Sequence, residues 1–253
     1  MKLLAFDTST DACSVALLID DEIRLDHRVA AQQQSRLLLP MIDAMMVDAG
    51  LRPTDLDGLV YGRGPGSFTG VRIAIAAAQG IAFGADIGVY GVSTLHCIAQ
   101  GCHREFADRA IHVAVDARMS EVYCGSFAQA KSFDGVSEVR PLGEELIDSP
   151  EKLLLLDDTD ACESLVVGDS AAVGEIALAG SGYDAYLKDR QLSGSRRQYR
   201  PHRLPSADDC LNLAREPFHS GLFGSAETAT PVYLRNQVAQ TEAERAQRVP
   251  STS

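Results

Sequence analysis

Asp7 and Asp116 are the acidic side chains best placed to do chemistry in this chain. Each directly follows a short apolar run, Leu3 to Phe6 and Ile111 to Val115, and each opens a polar turn before a second apolar run. A carboxylate at a strand end can hold a divalent cation or orient a phosphate through one, and Thr8 and Ser9 add two hydroxyls beside the first. Neither turn, Asp7-Thr8-Ser9-Thr10-Asp11 or Asp116-Ala117-Arg118-Met119-Ser120, contains glycine. Without it a backbone cradle around phosphate is harder to form. The same carboxylates could equally accept backbone N–H bonds and stabilise their own turns. From the residues alone, Asp7, Thr8, Ser9 and Asp116 form either a nucleotide site or a pair of structural turns.

Other constellations lack the required spacing. The six histidines, at 27, 96, 103, 112, 202 and 219, include no two that are four apart, so neither HxxxH nor HExxH is present. His96, Cys97, Cys102 and His103 lie close in sequence, but on a helix the two histidines are about 10 Å apart along the axis and the two cysteines point about 140° apart. One tetrahedral ion cannot gather all four. No serine sits in a GxSxG elbow, and Ser67 between Gly66 and Phe68 reads as a turn residue or helix cap. The glycines at 62, 64, 66 and 70 match neither GxxxxGK[ST] nor GxGxxG. They lead into a helix whose N-terminus could hold an anion, or they form a structural turn.

The elements that must position these residues follow from the pattern. LLAFDTSTDACSVALLID and IHVAVDARMSEVYCGSFA each read as strand, turn, strand, with their aspartates 109 residues apart. Between them the sequence predicts a helix from Ser35 to Ala49 closed by Gly50, with Pro40 causing a kink or late start. A strand at Leu59 to Tyr61, an apolar helix from Phe68 to Phe83, a strand at Ile87 to Val92 and a helix from Thr94 to Arg104 capped by Ser93 follow. Arg72 and Gln79, seven apart, share one side of the apolar helix, and small residues at Gly70, Ala74, Ala77, Ala78 and Gly84 allow close packing. Later, Ser149-Pro150 marks a helix start, Leu165 to Gly168 a strand and Ser170 to Ala179 a helix. Ser206 to Asp209 opens another with capping-box-like spacing. The expected division is an N-terminal lobe at 1–105, a second lobe at 106–215, a segment at 216–235 packing back, and a disordered tail at 236–253. This is a two-lobed α/β protein on the plan of actin-like ATPases and sugar kinases.

Composition narrows the functions. At 253 residues with 45% hydrophobic content the chain can bury a sizeable core. A net charge of −12 opposes independent binding to a phosphate backbone. The cluster Arg196, Arg197, Arg200, His202 and Arg203 is a local exception that reads as a solvated loop or, against the overall charge, as a nucleic-acid contact. Six cysteines without a CxxC pair, and no charged leader before an apolar stretch, give a cytoplasmic expectation without membrane association.

The motifs AFDTST, YGRGPGSFTGVRI, GVSTL, VDARMSEVY and PVYLRN occur in order over nearly the whole chain and resemble the bacterial TsaB (YeaZ) family. The resemblance implies the actin-like (ASKHA) fold and a non-catalytic subunit that pairs with TsaD. That complex makes N6-threonylcarbamoyladenosine at position 37 of ANN-decoding tRNAs. It also implies TsaE as a further partner, and the apolar helices give a homodimer as the expectation for the chain alone. Contact with tRNA would come only through the complex, with no cofactor of its own and with ATP and metal on the partner subunits. TsaD-type proteins carry an HxxxH pair where Ser93 to Ile98 here offers His96 alone. On this reading the helices Ser35 to Ala49 and Phe68 to Phe83 form the partner face, with Leu38, Met41, Met45, Val71, Ile75 and Ala78 as an exposed patch. Gln34-Ser35 in place of a His-Ser or His-Thr pair, and Ala74 in place of glycine, would then touch that interface. The alternative is an independent ATPase or peptidase using its own interlobe cleft.

Overall fold

The computed structural model describes residues 1–106, 110–130, 133–150, 176–179, 181–182, 197–200 and 203–235. Its first lobe is a five-stranded sheet in the order β3-β2-β1-β4-β5, formed by β1 (Lys2–Asp7), β2 (Ala12–Ile19), β3 (Glu22–Val29), β4 (Gly58–Gly62) and β5 (Gly88–Val92). The hairpin β1-β2 and the pair β2-β3 are antiparallel, whereas β4 and β5 add in parallel on the other side of β1. Parallel addition needs crossovers, and helices α1 (Gln34–Ala49) and α2 (Phe68–Ala85) supply them.

The second sheet repeats this plan. It comprises β6 (Ala110–Arg118), β7 (Glu121–Gln129), β8 (Val139–Pro141), β9 (Leu146–Asp148), β10 (Ile176–Ala179) and β11 (Arg197–Arg200). The main path runs β11-β10-β6-β7-β8, with β9 also on β7. Read from β8, each strand has the pairing sense of its counterpart in β3-β2-β1-β4-β5, antiparallel on the hairpin side and parallel beyond β6. The two-lobed, actin-like α/β architecture is therefore present, with a duplicated strand order.

Packing on both faces of its sheet holds the first lobe. One sheet face sets Leu4, Phe6, Val15, Leu17 and Leu59 against Leu38, Met41 and Met45 of α1 and Val71, Ile75 and Ala78 of α2. The other sets Leu3, Ala5, Ala16, Leu18 and Val60 against Cys210, Leu211 and Ala214 of α4 (Ala207–His219). Alternation along β1 and β2 explains why a strand that is buried throughout faces two cores. Helix α3 (Thr94–Phe106) packs Leu95, Ile98 and Cys102 on Ile111, Val113 and Phe127 of the second lobe.

Several expectations change. Helix α4 packs on the first sheet, although the sequence assigned 106–215 to the second lobe, because its apolar stripe fits the open face of β1, β2 and β4. Ser206 precedes α4 but turns its hydroxyl to Asp208 at 2.5 Å, without a side-chain cap. Ile176–Ala179, expected as the end of a helix, is strand β10, since four apolar residues carry no periodicity that separates strand from helix. Arg197–Arg200 is strand β11, and Arg203 pairs with Glu105 and Asp209, so this part of the basic cluster is not a solvated loop. Helix α1 begins at Gln34 and runs through Pro40, without a late start. The expected strand at 165–168, residues 170–175, Arg196, His202 and the tail at 236–253 lie outside the described residues.

Candidate functional site

The β1-β2 turn is enclosed by the glycine-rich loop. Asp7, Thr8 and Ser9 are buried at 1%, 0% and 0% exposure, which decides what they can touch. The Asp7 Oδ1 atom accepts from Ser9 N at 2.8 Å and Ser9 Oγ at 2.7 Å. Thr8 Oγ1 donates to the Gly70 carbonyl at 2.7 Å, Ser67 N donates to the Ser9 carbonyl at 2.7 Å, and Thr94 Oγ1 donates to Ser9 Oγ at 2.8 Å. A Cβ at Gly66 would lie 2.3 Å from the Ser9 carbonyl oxygen, and one at Gly70 would lie 1.9 Å from that of Thr8. These two glycines are steric necessities that let the loop press onto the turn.

Asp7 Oδ2 has no hydrogen-bond partner and faces Gly62, where a Cβ would be 1.8 Å away. Burial pushes this carboxyl above its ordinary range, opposed by the two donations from Ser9. Ser67 caps α2 by accepting from Gly70 N at 3.3 Å, and Ser93 caps α3 by accepting from Leu95 N at 3.1 Å. Ser93 also donates to Glu145, a carboxyl raised by burial.

The second aspartate is placed differently. Asp116 Oδ1 accepts from Arg118 N at 2.8 Å, and Oδ2 pairs with the Arg118 guanidinium at 3.3 Å. The turn that follows holds Arg118, Met119 and Ser120 at φ of 63°, 57° and 57°. The four close His and Cys ligands do not converge. His96 Nε2 meets the Val139 carbonyl at 2.7 Å, with its ring stacked on Phe127, and burial lowers its pKa to about 4. Cys97 Sγ donates to the Ser206 carbonyl at 3.1 Å, and His103 Nε2 meets Ser137 Oγ at 2.7 Å. Among the described residues no group of three or more His, Cys, Asp or Glu could hold a metal ion.

The six residues expected as an exposed partner patch are all in the core: Leu38, Met41, Met45, Val71, Ile75 and Ala78 range from 0% to 9% exposed. They face the sheet because α1 and α2 must cover it. Ala74 is also fully buried, and Gln34 is buried with its side-chain amide on the Thr10 carbonyl at 2.7 Å. Both departures from the family pattern therefore lie inside the lobe. The outward faces carry Leu39 and Val47 on α1 and Phe68, Arg72, Ala76, Gly80, Phe83 and Gly84 on α2. Phe83 is 79% exposed, and a Cβ at Gly80 or Gly84 would meet nothing within 4 Å. Helix α2 has the length and apolarity to qualify for a membrane span, yet its inner face belongs to the sheet core. Arg72 and Gln79 were the available signal for this outer side, because polar side chains mark the solvent face and residues three or four away share it.

A family model described as TsaD, tRNA N6-adenosine threonylcarbamoyltransferase, matches residues 27–184. The tRNA threonylcarbamoyladenosine biosynthesis protein TsaB of Escherichia coli (strain K12) is 36% identical over 241 residues, covering 94% of this chain and 96% of that one. The protein of the same name from Haemophilus influenzae is 36% identical over 243 residues, covering 94% and 95%. The solved structure of YeaZ from Pseudomonas aeruginosa is 35% identical with a TM-score of 0.77, covering 92% of this chain and 99% of that chain. With this identity along nearly the full length and the duplicated sheet plan beneath it, the chain belongs to the TsaB (YeaZ) family.

Proposed function

We propose that this chain acts in the biosynthesis of tRNA threonylcarbamoyladenosine as a non-catalytic cytoplasmic subunit that pairs with a TsaD-type partner. It supports formation of N6-threonylcarbamoyladenosine at position 37 of ANN-decoding tRNAs. TsaE joins the assembly, ATP and metal are held by the partner subunits, and tRNA is met through the complex. Alone, the chain forms a homodimer through the same surface.

The observation that carries this reading is the outward face of α2. Phe68 and Phe83 stand exposed at its two ends, and Ala76, Gly80 and Gly84 lie between or beside them. Small residues flanked by aromatics let a second helix come close and seat its side chains, which is the geometry of a helix-to-helix contact. The Thr8 and Ser9 hydroxyls and one carboxylate oxygen of Asp7 are committed to protein partners, and the turn is closed off from solvent, which favours a binding subunit over an independent ATPase.

The test compares outward and inward substitutions. Gly80→Arg fills open space and improves helix propensity, so the variant should fold while losing association with TsaD, read by titration calorimetry. Phe83→Glu should do the same. Both variants should fail to restore modified nucleoside on unmodified tRNA in the presence of TsaD, TsaE and the activated threonylcarbamoyl donor. Pairing at wild-type strength in both variants would sink the assignment of this face. Ile75→Glu should instead unfold the chain, because it buries a charge in the sheet core.

A further inference from the structure

The segment from Ala229 to Arg235 touches both lobes within seven residues. Its first half lies along α2 and β4: Gln79 Nε2 donates to the Ala229 carbonyl at 2.9 Å, Thr230 N to Tyr61 Oη at 3.2 Å, and Val232 N to the Arg63 carbonyl at 3.0 Å. Tyr233 then sits over the first turn of α2. The Arg72 guanidinium lies 3.2 Å from the Phe68 ring centroid and 5.6 Å from that of Tyr233, so one cation joins the two rings.

Two residues later the chain grips the other lobe. Arg235 Nη2 donates to the Ala117 carbonyl at 3.1 Å, the Arg118 carbonyl at 3.3 Å and Glu121 Oε2 at 2.5 Å. Its Nη1 atom reaches Met119 Sδ at 3.6 Å. These contacts encircle the three consecutive left-handed residues of the β6-β7 turn, a conformation that non-glycine side chains disfavour and that its surroundings must hold. Arg235 is the described side chain that does so from outside the second lobe.

We propose that Pro231 to Arg235 is a strap that couples the position of the β6-β7 turn to the outward face of α2. A shift of the second lobe that carries Ala117 to Glu121 away must release Arg235 or pull on Tyr233. Tyr233 in turn holds Arg72 and Phe68, at the end of the face proposed for the partner. Lobe position and the partner face are then linked in both directions, since such coupling is reciprocal. The consequence for partner affinity rests on the proposed function, whereas the coupling itself is a property of the chain alone.

Amide hydrogen exchange of the isolated chain tests it. Arg235→Ala should speed exchange by about fivefold both in residues 117–121, which it touches, and in residues 68–72, which it does not. Tyr233→Ala should do the reverse, loosening 117–121 from a contact made on α2. Glu121→Gln, a milder change, should produce the same two-site pattern with a smaller amplitude, and it decides the matter if Arg235→Ala fails to fold. Acceleration confined to each variant's own contact site, or no acceleration, overturns the strap. Because no partner is present, that outcome is independent of whether the chain pairs with TsaD.

Discussion

The hairpins β1-β2 and β6-β7 occupy the same place in two sheets of the same order, each carries an aspartate at or near the end of its first strand, and their turns are built in opposite ways. The first turn is inside the protein, its hydroxyls bonded to the glycine-rich loop and to Thr94, and its aspartate is cut off from water. The second is at the surface, with Met119 59% exposed and Asp116 bonded to its own turn. Duplication of a sheet thus fixes strand pairing and leaves the loop ends free to diverge. What packs against a turn decides whether its aspartate is fully enclosed, as Asp7 is, or partly exposed, as Asp116 is at 18%, and the strand that delivers it does not.

The sharpest way to break this contrast is at the glycines of the first lobe. Gly70→Ala places a Cβ against the Thr8 carbonyl, a backbone atom that cannot swing away, so the loop must lift from the turn. A loss of about 3 kcal/mol in urea unfolding is expected, the upper end of the usual cost of overpacking. Gly80→Ala on the same helix has open space beyond it and should gain up to about 1 kcal/mol. Equal effects at the two sites would show that the turn is not clamped.

Asp7 gives the next largest effect. Its folded pKa is raised by burial, so between the ordinary carboxylate range and that raised value the folded state binds more protons than the unfolded state. Stability attributable to Asp7 is therefore full in acid and falls as pH rises through this window. Asp7→Asn removes the ionisation, so the variant should gain relative to the parent at neutral pH, and this relative gain should shrink in acid. Thermal unfolding across pH measures it, and parallel curves for the two proteins would contradict the burial argument.

Much of the scaffold was legible from residues. Apolar runs around Asp7 and Asp116 gave both hairpins, Gly50 gave the end of α1 with its φ of 65°, and Ser67 and Ser93 gave two helix starts. Which face of α2 turns inward was not, because a helix that is apolar nearly all round has a weak periodic signal and the choice of Val71, Ile75 and Ala78 as outward residues went against the polar marks at Arg72 and Gln79. The enclosed first turn was also hidden. It depends on contacts between residues about 60 positions apart, such as Thr8 with Gly70, and local spacing carries no trace of them.

A smaller effect sharpens the contrast from the second lobe. Met119 adopts φ of 57° with its side chain largely exposed, so little packing compensates for the left-handed backbone. Met119→Gly should relieve this and stabilise the chain by about 1 kcal/mol, the relief of the left-handed backbone exceeding the greater freedom of glycine in the unfolded state. A loss of stability in urea unfolding would show that the Met119 contact with Arg235 outweighs the backbone cost.

The smallest effect is expected at Asp116, and it tests the comparison most directly because the matched residue in the first lobe is Asp7. Asp116→Asn keeps an oxygen able to accept from Arg118 N and loses the charge that faces the Arg118 guanidinium at 3.3 Å. Arg118 is 83% exposed, so solvent and salt already screen that attraction. The substitution should cost about 0.5 kcal/mol or less, with the cost vanishing in high salt. Asp7→Asn should respond to pH and hardly to salt, since its carboxyl lies beyond the reach of ions. If Asp116→Asn instead showed a large, salt-insensitive effect, the second aspartate would be held as tightly as the first, and the two hairpins would differ in sequence without differing in the work their carboxylates do.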